Sequence, residues 1–314
     1  MTVAETTQPS RVFSTTSARR LNQNLLPMRL WHKAKKLGTW DPMDIDFSQD
    51  KKDWDALTDL ERTYLLQLAA LYQAGEESVT LDLLPLIMTV ARDGRLEEEM
   101  FLTSFLWEEA KHVETFQRFI TEVAGSSAED LAHFHVPSYR TIFYDELPTS
   151  LNRLLTDSSP VALAEASVTY NMIVEGVMAE TGYYAYHLVL ERHGIMPGMQ
   201  KAMQLFKRDE SRHIAYGVYL LSRLVAEHGD PVWEAIENRM NTLLLPAIAT
   251  INEFWDQTLE RGPMPFGLQL EEIIDFAFNQ FQKRINRIER ARGMAIDQLN
   301  GSESEALERE EVVA

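Results

Sequence analysis

The chain has 314 residues, 45% hydrophobic and 25% charged, which suits one large packed domain. It has no cysteine, so disulfides, thiolate zinc sites, cysteine-held iron–sulfur clusters and thiol nucleophiles are excluded, and any metal must be held by oxygen and imidazole nitrogen. A formal charge of −18 argues against a nucleic-acid surface, and no apolar run approaches the roughly 20 residues that span a bilayer.

Residues 1–20 are rich in Ser and Thr, lack the apolar core of a secretory signal, and read as a mobile arm on a cytoplasmic protein. Thr58-Asp-Leu-Glu61 is a capping box that opens a long helix, with Leu65, Leu68, Ala69 and Tyr72 at helical spacing. Pro85 is expected to bend or end that helix. A second helix runs from about Leu96 to Val123 and stops near Gly125, followed by a looser stretch holding His133, His135, Pro137 and Pro148. Ser159-Pro160 starts a third helix that reaches about Arg192. Pro197 opens a fourth, ending near His228-Gly229, and Asp230-Pro231 a fifth, which Pro246 is expected to interrupt. A sixth spans about Glu271 to Leu299, and the acidic stretch 301–314 reads as a frayed tail. The fold expected is all-α, with 21–300 a single domain.

Two of these helices carry the same short pattern. The second contains Trp-Glu-Glu-Ala-Lys-His (107–112) and the fourth Arg-Asp-Glu-Ser-Arg-His (208–213), so each holds Glu-x-x-His: Glu109 with His112, and Glu210 with His213. Residues three apart lie on nearly one helix face, so both side chains of a pair can reach one ion. Apolar residues flank both copies, among them Phe105, Phe116, Leu205 and Phe206, and a carboxylate or imidazole on such a face needs a partner to offset its desolvation. Each copy is preceded by a helix with one suitable carboxylate, Glu76 before the first and Glu175 before the second. One Glu from each of two helices and Glu-x-x-His from each of the other two is the ligand pattern of ferritin-like dinuclear carboxylate bundles. Four carboxylates and two neutral imidazoles carry a charge that two divalent ions cancel. Neighbours leave two alternatives open: Glu77 in place of Glu76, and Glu108 with His112 in place of Glu109.

With these motifs in place, the chain resembles ribonucleotide reductase small subunits over roughly residues 40–290. Trp40, Ile45-Asp-Phe-Ser-Gln-Asp50, Leu57-Thr-Asp-Leu-Glu-Arg62 and both Glu-x-x-His segments carry the resemblance. It departs where those proteins bear a radical Tyr one turn after the first His, since Phe116 stands there, and its last Tyr is Tyr219. Those departures make it more similar to the ligand-binding oxidases related to the reductase small subunit. That resemblance implies a ferritin-like four-helix core and manganese near Glu76, Glu109 and His112. It implies iron near Glu175, Glu210 and His213 (or, alternatively, a di-iron pair), and a homodimer. It further implies a long-chain fatty acid over the metals and an ether crosslink between Val79 and Tyr170. Asp209 matches the position that orients His112, and Trp40 the small-subunit Trp beside the site.

The reading that follows is an oxidase that activates dioxygen at a manganese–iron pair and oxidises a C–H bond of a bound hydrophobic acid. The alternatives are a radical-generating reductase subunit and a ferritin-type metal store.

Overall fold

The computed structural model describes residues 13–126, 128–303 and 305–307. Among them there is no strand, and the helices are α1 (Leu26–Leu37), α2 (Ser48–Ala56), α3 (Asp59–Arg92), α4 (Leu96–Arg118), α5 (Pro137–Arg140), α6 (Leu147–Arg153), α7 (Pro160–Ser167), α8 (Glu180–Tyr186), α9 (Pro197–His228), α10 (Asp230–Leu259), α11 (Leu270–Glu289) and α12 (Ile296–Gln298). Four π-wound stretches matter to their course. Phe119–Val123 extends α4, Thr141–Glu146 joins α5 to α6, Val168–Ala179 joins α7 to α8, and His187–Glu191 extends α8.

The capping box at Thr58 forms as the sequence predicts: Glu61 N donates to the Thr58 hydroxyl, and Thr58 N to the Glu61 carboxylate. The N-terminus of α9 is capped from a distance. Asp50 on α2 accepts from Gly198 N at 2.8 Å and Met199 N at 2.7 Å, placing a carboxylate at the positive end of the helix dipole. Gly198 is required there, because a Cβ would lie 2.6 Å from the Asp46 carbonyl oxygen.

Several expectations need correction. Neither Pro85 nor Pro246 stops its helix; α3 runs on to Arg92 and α10 to Leu259. The carbonyl of each proline itself accepts from a Thr hydroxyl four residues on, Thr89 and Thr250, both at 2.9 Å, while the amide bond that each proline cannot make is to the carbonyl four residues before it. Burial of α3 along α4 and α6 outweighs the lost bond. The sixth predicted helix ends at Glu289, and Gly293 takes φ +75° in the break that follows. The stretch expected to be loose is mostly helical, with Pro137 and Pro148 in first turns. Of the predicted arm, residues 1–12 lie outside the described residues, while Arg19 pairs with Glu97 at 2.6 Å. Of the predicted tail, 304 and 308–314 lie outside, while Leu307 is buried in the core.

The heart of the molecule is four helices: α3, α4, the run from α7 through α8, and α9. Two apolar clusters fill it. One includes Val79, Phe105, Tyr170 and Ile214, the other Tyr72, Phe116, Tyr183 and Phe206. No helix of the described residues is long and apolar enough to cross a membrane.

Candidate metal centre

Between the two clusters the four core helices bring all six predicted side chains together. Glu76 comes from α3, Glu109 and His112 from α4, Glu175 from the π-wound stretch, and Glu210 and His213 from α9. They form two overlapping groups, Glu76–Glu109–His112–Glu210 and Glu109–Glu175–Glu210–His213, and within each group the potential ligand atoms lie within 4.8 Å of one another. Glu109 and Glu210 belong to both. His112 Nδ1 stands 3.4 Å from Glu76, 3.6 Å from Glu109 and 3.3 Å from Glu210. His213 Nδ1 stands 3.3 Å from Glu109, 3.6 Å from Glu175 and 3.5 Å from Glu210.

Polar atoms this deeply buried are normally hydrogen-bonded. Here Glu109 Oε2, Glu175 Oε1, Glu210 Oε2 and both Nδ1 atoms have no hydrogen-bond partner in the protein. Five orphaned atoms converging on one spot are what a ligand set for cations looks like. The donors, carboxylate oxygen and imidazole nitrogen, suit iron and manganese. The side chains are thus positioned for a dinuclear metal site.

The electrostatics lead to the same place. Burial pushes the Glu76 carboxyl up to about 8, and raises Glu175 well above the usual carboxylate range. For His112 and His213 burial alone would lower the imidazole, but the surrounding carboxylates outweigh it and hold both well above their ordinary value. For Glu109 burial raises the carboxyl, and the two imidazoles beside it, at 3.6 and 3.3 Å, more than reverse it. Positive charge must come from somewhere: protons supply it in the metal-free protein, and two divalent ions would supply it otherwise.

Behind the imidazoles, away from the convergent atoms, lies a set of buried charges. His213 Nε2 is 2.9 Å from Glu108 Oε2, and His112 Nε2 faces Asp209 Oδ2 at 3.5 Å. Arg212 bridges both carboxylates, at 2.6 Å to Glu108 and 2.5 Å to Asp209. Asp209 also accepts from Lys111 at 3.1 Å and from Trp40 Nε1 at 2.8 Å. The two residues singled out from sequence, Trp40 and Asp209, are therefore in contact beside His112. Glu108 does not join the convergent group; adjacent helical residues point about 100° apart, and Glu108 turns to the far side of His213. The placement of Glu108, Lys111 and Arg212 escaped sequence reasoning, although an acid precedes the Glu and a base precedes the His of each Glu-x-x-His, a repeat visible in the two motifs.

Tyr170 OH donates to the Val79 carbonyl at 3.0 Å and stands 3.5 Å from Glu109. The opposite flank is tyrosine-rich. Tyr183 OH lies 3.3 Å from Glu210, and Tyr72 stacks on Phe116 with ring centres 4.9 Å apart. A cavity of about 130 Å³ opens over the carboxylates and runs among Leu68, Leu71, Met178, Ile251 and Trp255. Its lining contains no Lys, Arg or His, and the charged groups on it are Glu76, Glu109, Glu175 and Glu210.

An all-helical core with this site defines the ferritin-like dinuclear carboxylate class. The family model for the small chain of ribonucleotide reductase matches residues 28–289, so the chain belongs to that family. Its solved relatives are more particular. It is 39% identical to the R2-like ligand-binding oxidase from Sulfolobus acidocaldarius, covering 92% of this chain and 98% of that one with a TM-score of 0.83. It is 37% identical to a variant R2-like ligand-binding oxidase with an aerobically reconstituted Mn/Fe cofactor, covering 88% and 97% with a TM-score of 0.81. A further variant with an anaerobically reconstituted Mn/Fe cofactor is 38% identical, with the same coverage and TM-score.

Proposed function

We propose that this chain is an oxygen-activating oxidase that holds manganese and iron with Glu76, Glu109, His112, Glu175, Glu210 and His213 and oxidises a C–H bond of a long hydrophobic acid. The observation that carries the reading is the convergence of orphaned buried ligand atoms at one end of an apolar cavity. The manganese–iron identity is supported by the cofactor of the relatives at 37–38% identity. A manganese–iron pair in the reduced state supplies electrons to dioxygen and, once oxidised, the power to break an unactivated C–H bond.

The protein's own contribution is placement. Glu109 and Glu210 sit in both groups and suit bridging positions, while Glu76 and Glu175 each sit in one. The cavity offers an acid no cation of its own, so an acid head belongs at the metals and the chain among Leu68, Leu71, Ile251 and Trp255. The hydroxyls of the two Thr residues on the wall, Thr181 and Thr250, bond carbonyls of their own helices, which keeps the wall apolar.

The same chemistry, in this reading, joins Val79 to Tyr170. The phenol oxygen lies beside Val79, and both residues are buried. Removal of the phenolic hydrogen and one valine side-chain hydrogen, as two protons and two electrons, would make the C–O bond, and an oxidised metal pair held by the six convergent side chains would supply the oxidant. The chain is further proposed to work as a homodimer, for which Leu81, Leu84 and Met88 form an exposed apolar stripe on α3. The reductase-subunit and ferritin-store alternatives lack such specific support, and Phe116 occupies the place of the reductase radical Tyr.

The test is to load metal-free protein with manganese(II) and iron(II), admit air, and map peptides by mass. A hydrogen pair lost from a linked Val79–Tyr170 peptide supports the reading. Unchanged mass, or full dioxygen consumption by the Glu109→Ala variant, overturns it.

A further inference from the structure

The repeated motif is longer than its ligands. In full it reads acid–Glu–x–base–His: Glu108-Glu109-Ala-Lys111-His112 on α4 and Asp209-Glu210-Ser-Arg212-His213 on α9. The structure uses the outer members crosswise. The acid from α4 backs the histidine of α9, and the acid from α9 backs the histidine of α4. All four outer residues are charged, and their side chains are at most 6% exposed. Burying four charges is seldom a gain in stability over apolar packing, so a task at the site is the better account of them.

The two halves are not equivalent. An ionised carboxylate oxygen offers about two lone-pair directions. On Asp209, Oδ2 already accepts from Trp40 Nε1 at 2.8 Å and Lys111 Nζ at 3.1 Å, while Oδ1 takes Arg212. His112 Nε2 comes third and is left at 3.5 Å, without a hydrogen bond. On Glu108, Oε1 takes Arg212 and Oε2 takes His213 alone, at 2.9 Å. One imidazole is thus tied to a carboxylate whose oxygen serves nothing else; the other faces an oxygen shared by two stronger claimants.

A carboxylate on the far nitrogen fixes the tautomer of a ligand histidine and makes it a stronger donor. Stronger nitrogen donation favours iron over manganese, since affinity for such sites rises from manganese to iron. We infer that Glu108, held by Arg212, is the positioning residue that makes the Glu175–Glu210–His213 position select iron, while the crowding of Asp209 by Trp40 and Lys111 leaves the Glu76–Glu109–His112 position open to manganese. This rests on the two-metal reading above and assigns its metal preference to residues that touch neither ion.

The experiment loads metal-free protein with equal manganese(II) and iron(II) and reads each position by anomalous diffraction at the two metal edges. In the unaltered chain iron should dominate beside His213. Glu108→Gln should lower the iron-to-manganese ratio there by about tenfold, within the range for residues that orient metal ligands, and leave the ratio beside His112 unchanged. Trp40→Phe frees one direction on Asp209 and should act in the opposite sense, raising iron beside His112; it keeps the test open should Glu108→Gln fail to fold. Two bound metals with unchanged ratios in both variants would overturn the inference and leave the two-metal reading intact. So would an equal shift at both positions in Glu108→Gln. No metal bound by the unaltered chain would overturn the reading itself.

Discussion

The clearest consequence of the buried carboxylates concerns the metal-free protein. Glu76 titrates near 8 in the folded chain against an ordinary value of 4.5, because burial disfavours its charge. A group raised in this way gives stability that is present at low pH and is lost as pH rises toward the folded value. Between those limits the folded state holds close to one more proton than the unfolded state at this residue, which is worth about 1.4 kcal/mol per pH unit. From pH 6 to pH 8 the metal-free protein should therefore lose about 2 kcal/mol from Glu76 alone, since the excess falls to half a proton at the folded value. The raised imidazoles of His112 and His213 act with the same sign above about 6.5. The lowered groups, Glu109 and Asp209, titrate in strong acid and do not enter this window. At about 2 °C per kcal/mol for a chain of this size, the midpoint should fall by roughly 4 °C or more. Thermal unfolding of chelator-treated protein, followed by circular dichroism at fixed ionic strength, measures it. Saturating manganese(II) and iron(II) under nitrogen should abolish or reverse the slope, because the ions replace the protons. Glu76→Gln should make it shallower in the metal-free form, leaving the share that the imidazoles contribute. A metal-free midpoint that stays level or rises between pH 6 and 8 would refute the electrostatic account.

Other perturbations have separable effects. Asp50→Ala removes the carboxylate that caps α9 and should cost about 1–2 kcal/mol in chemical denaturation, with lower metal occupancy because Glu210 and His213 ride on that helix. Gly182→Ala puts a Cβ 2.3 Å from the Tyr72 hydroxyl; displacing Tyr72 should cost about 1–3 kcal/mol and weaken retention of an added long-chain fatty acid, read by mass spectrometry of extracts. Tyr170→Phe should leave metal content near that of the unaltered chain while abolishing the linked peptide. Glu109→Ala removes a carboxylate common to both groups and should lower the bound metal at both positions, measured by elemental analysis.

How much of this was legible in the sequence differs by residue. The six convergent side chains were readable because Glu-x-x-His stacks on an ordinary α-helix and occurs twice. The choice of Glu76 over Glu77 follows from phase: Glu76 is buried in the site and Glu77 is exposed. The geometry around Tyr170 and Glu175 was not readable. Five residues apart, they diverge on an α-helix, and it is the π winding of Val168–Ala179, with bonds reaching five residues on, that draws them toward one side. Single-sequence periodicity assumes regular winding and carries no sign of that change. Pro85 and Pro246 misled for a related reason, since a local breaker says nothing of the tertiary burial that carries a helix through it. The charges behind the histidines needed the crosswise packing of α4 and α9, which spacing along one helix does not reveal.

The central claim is that this chain holds two metal ions among six named side chains. Anomalous diffraction from protein loaded with manganese(II) and iron(II) tests it most directly. The account predicts two peaks per chain, one beside His112 with Glu76 and one beside His213 with Glu175, with Glu109 and Glu210 between them. A single peak, none, or metal bound away from these residues would contradict it.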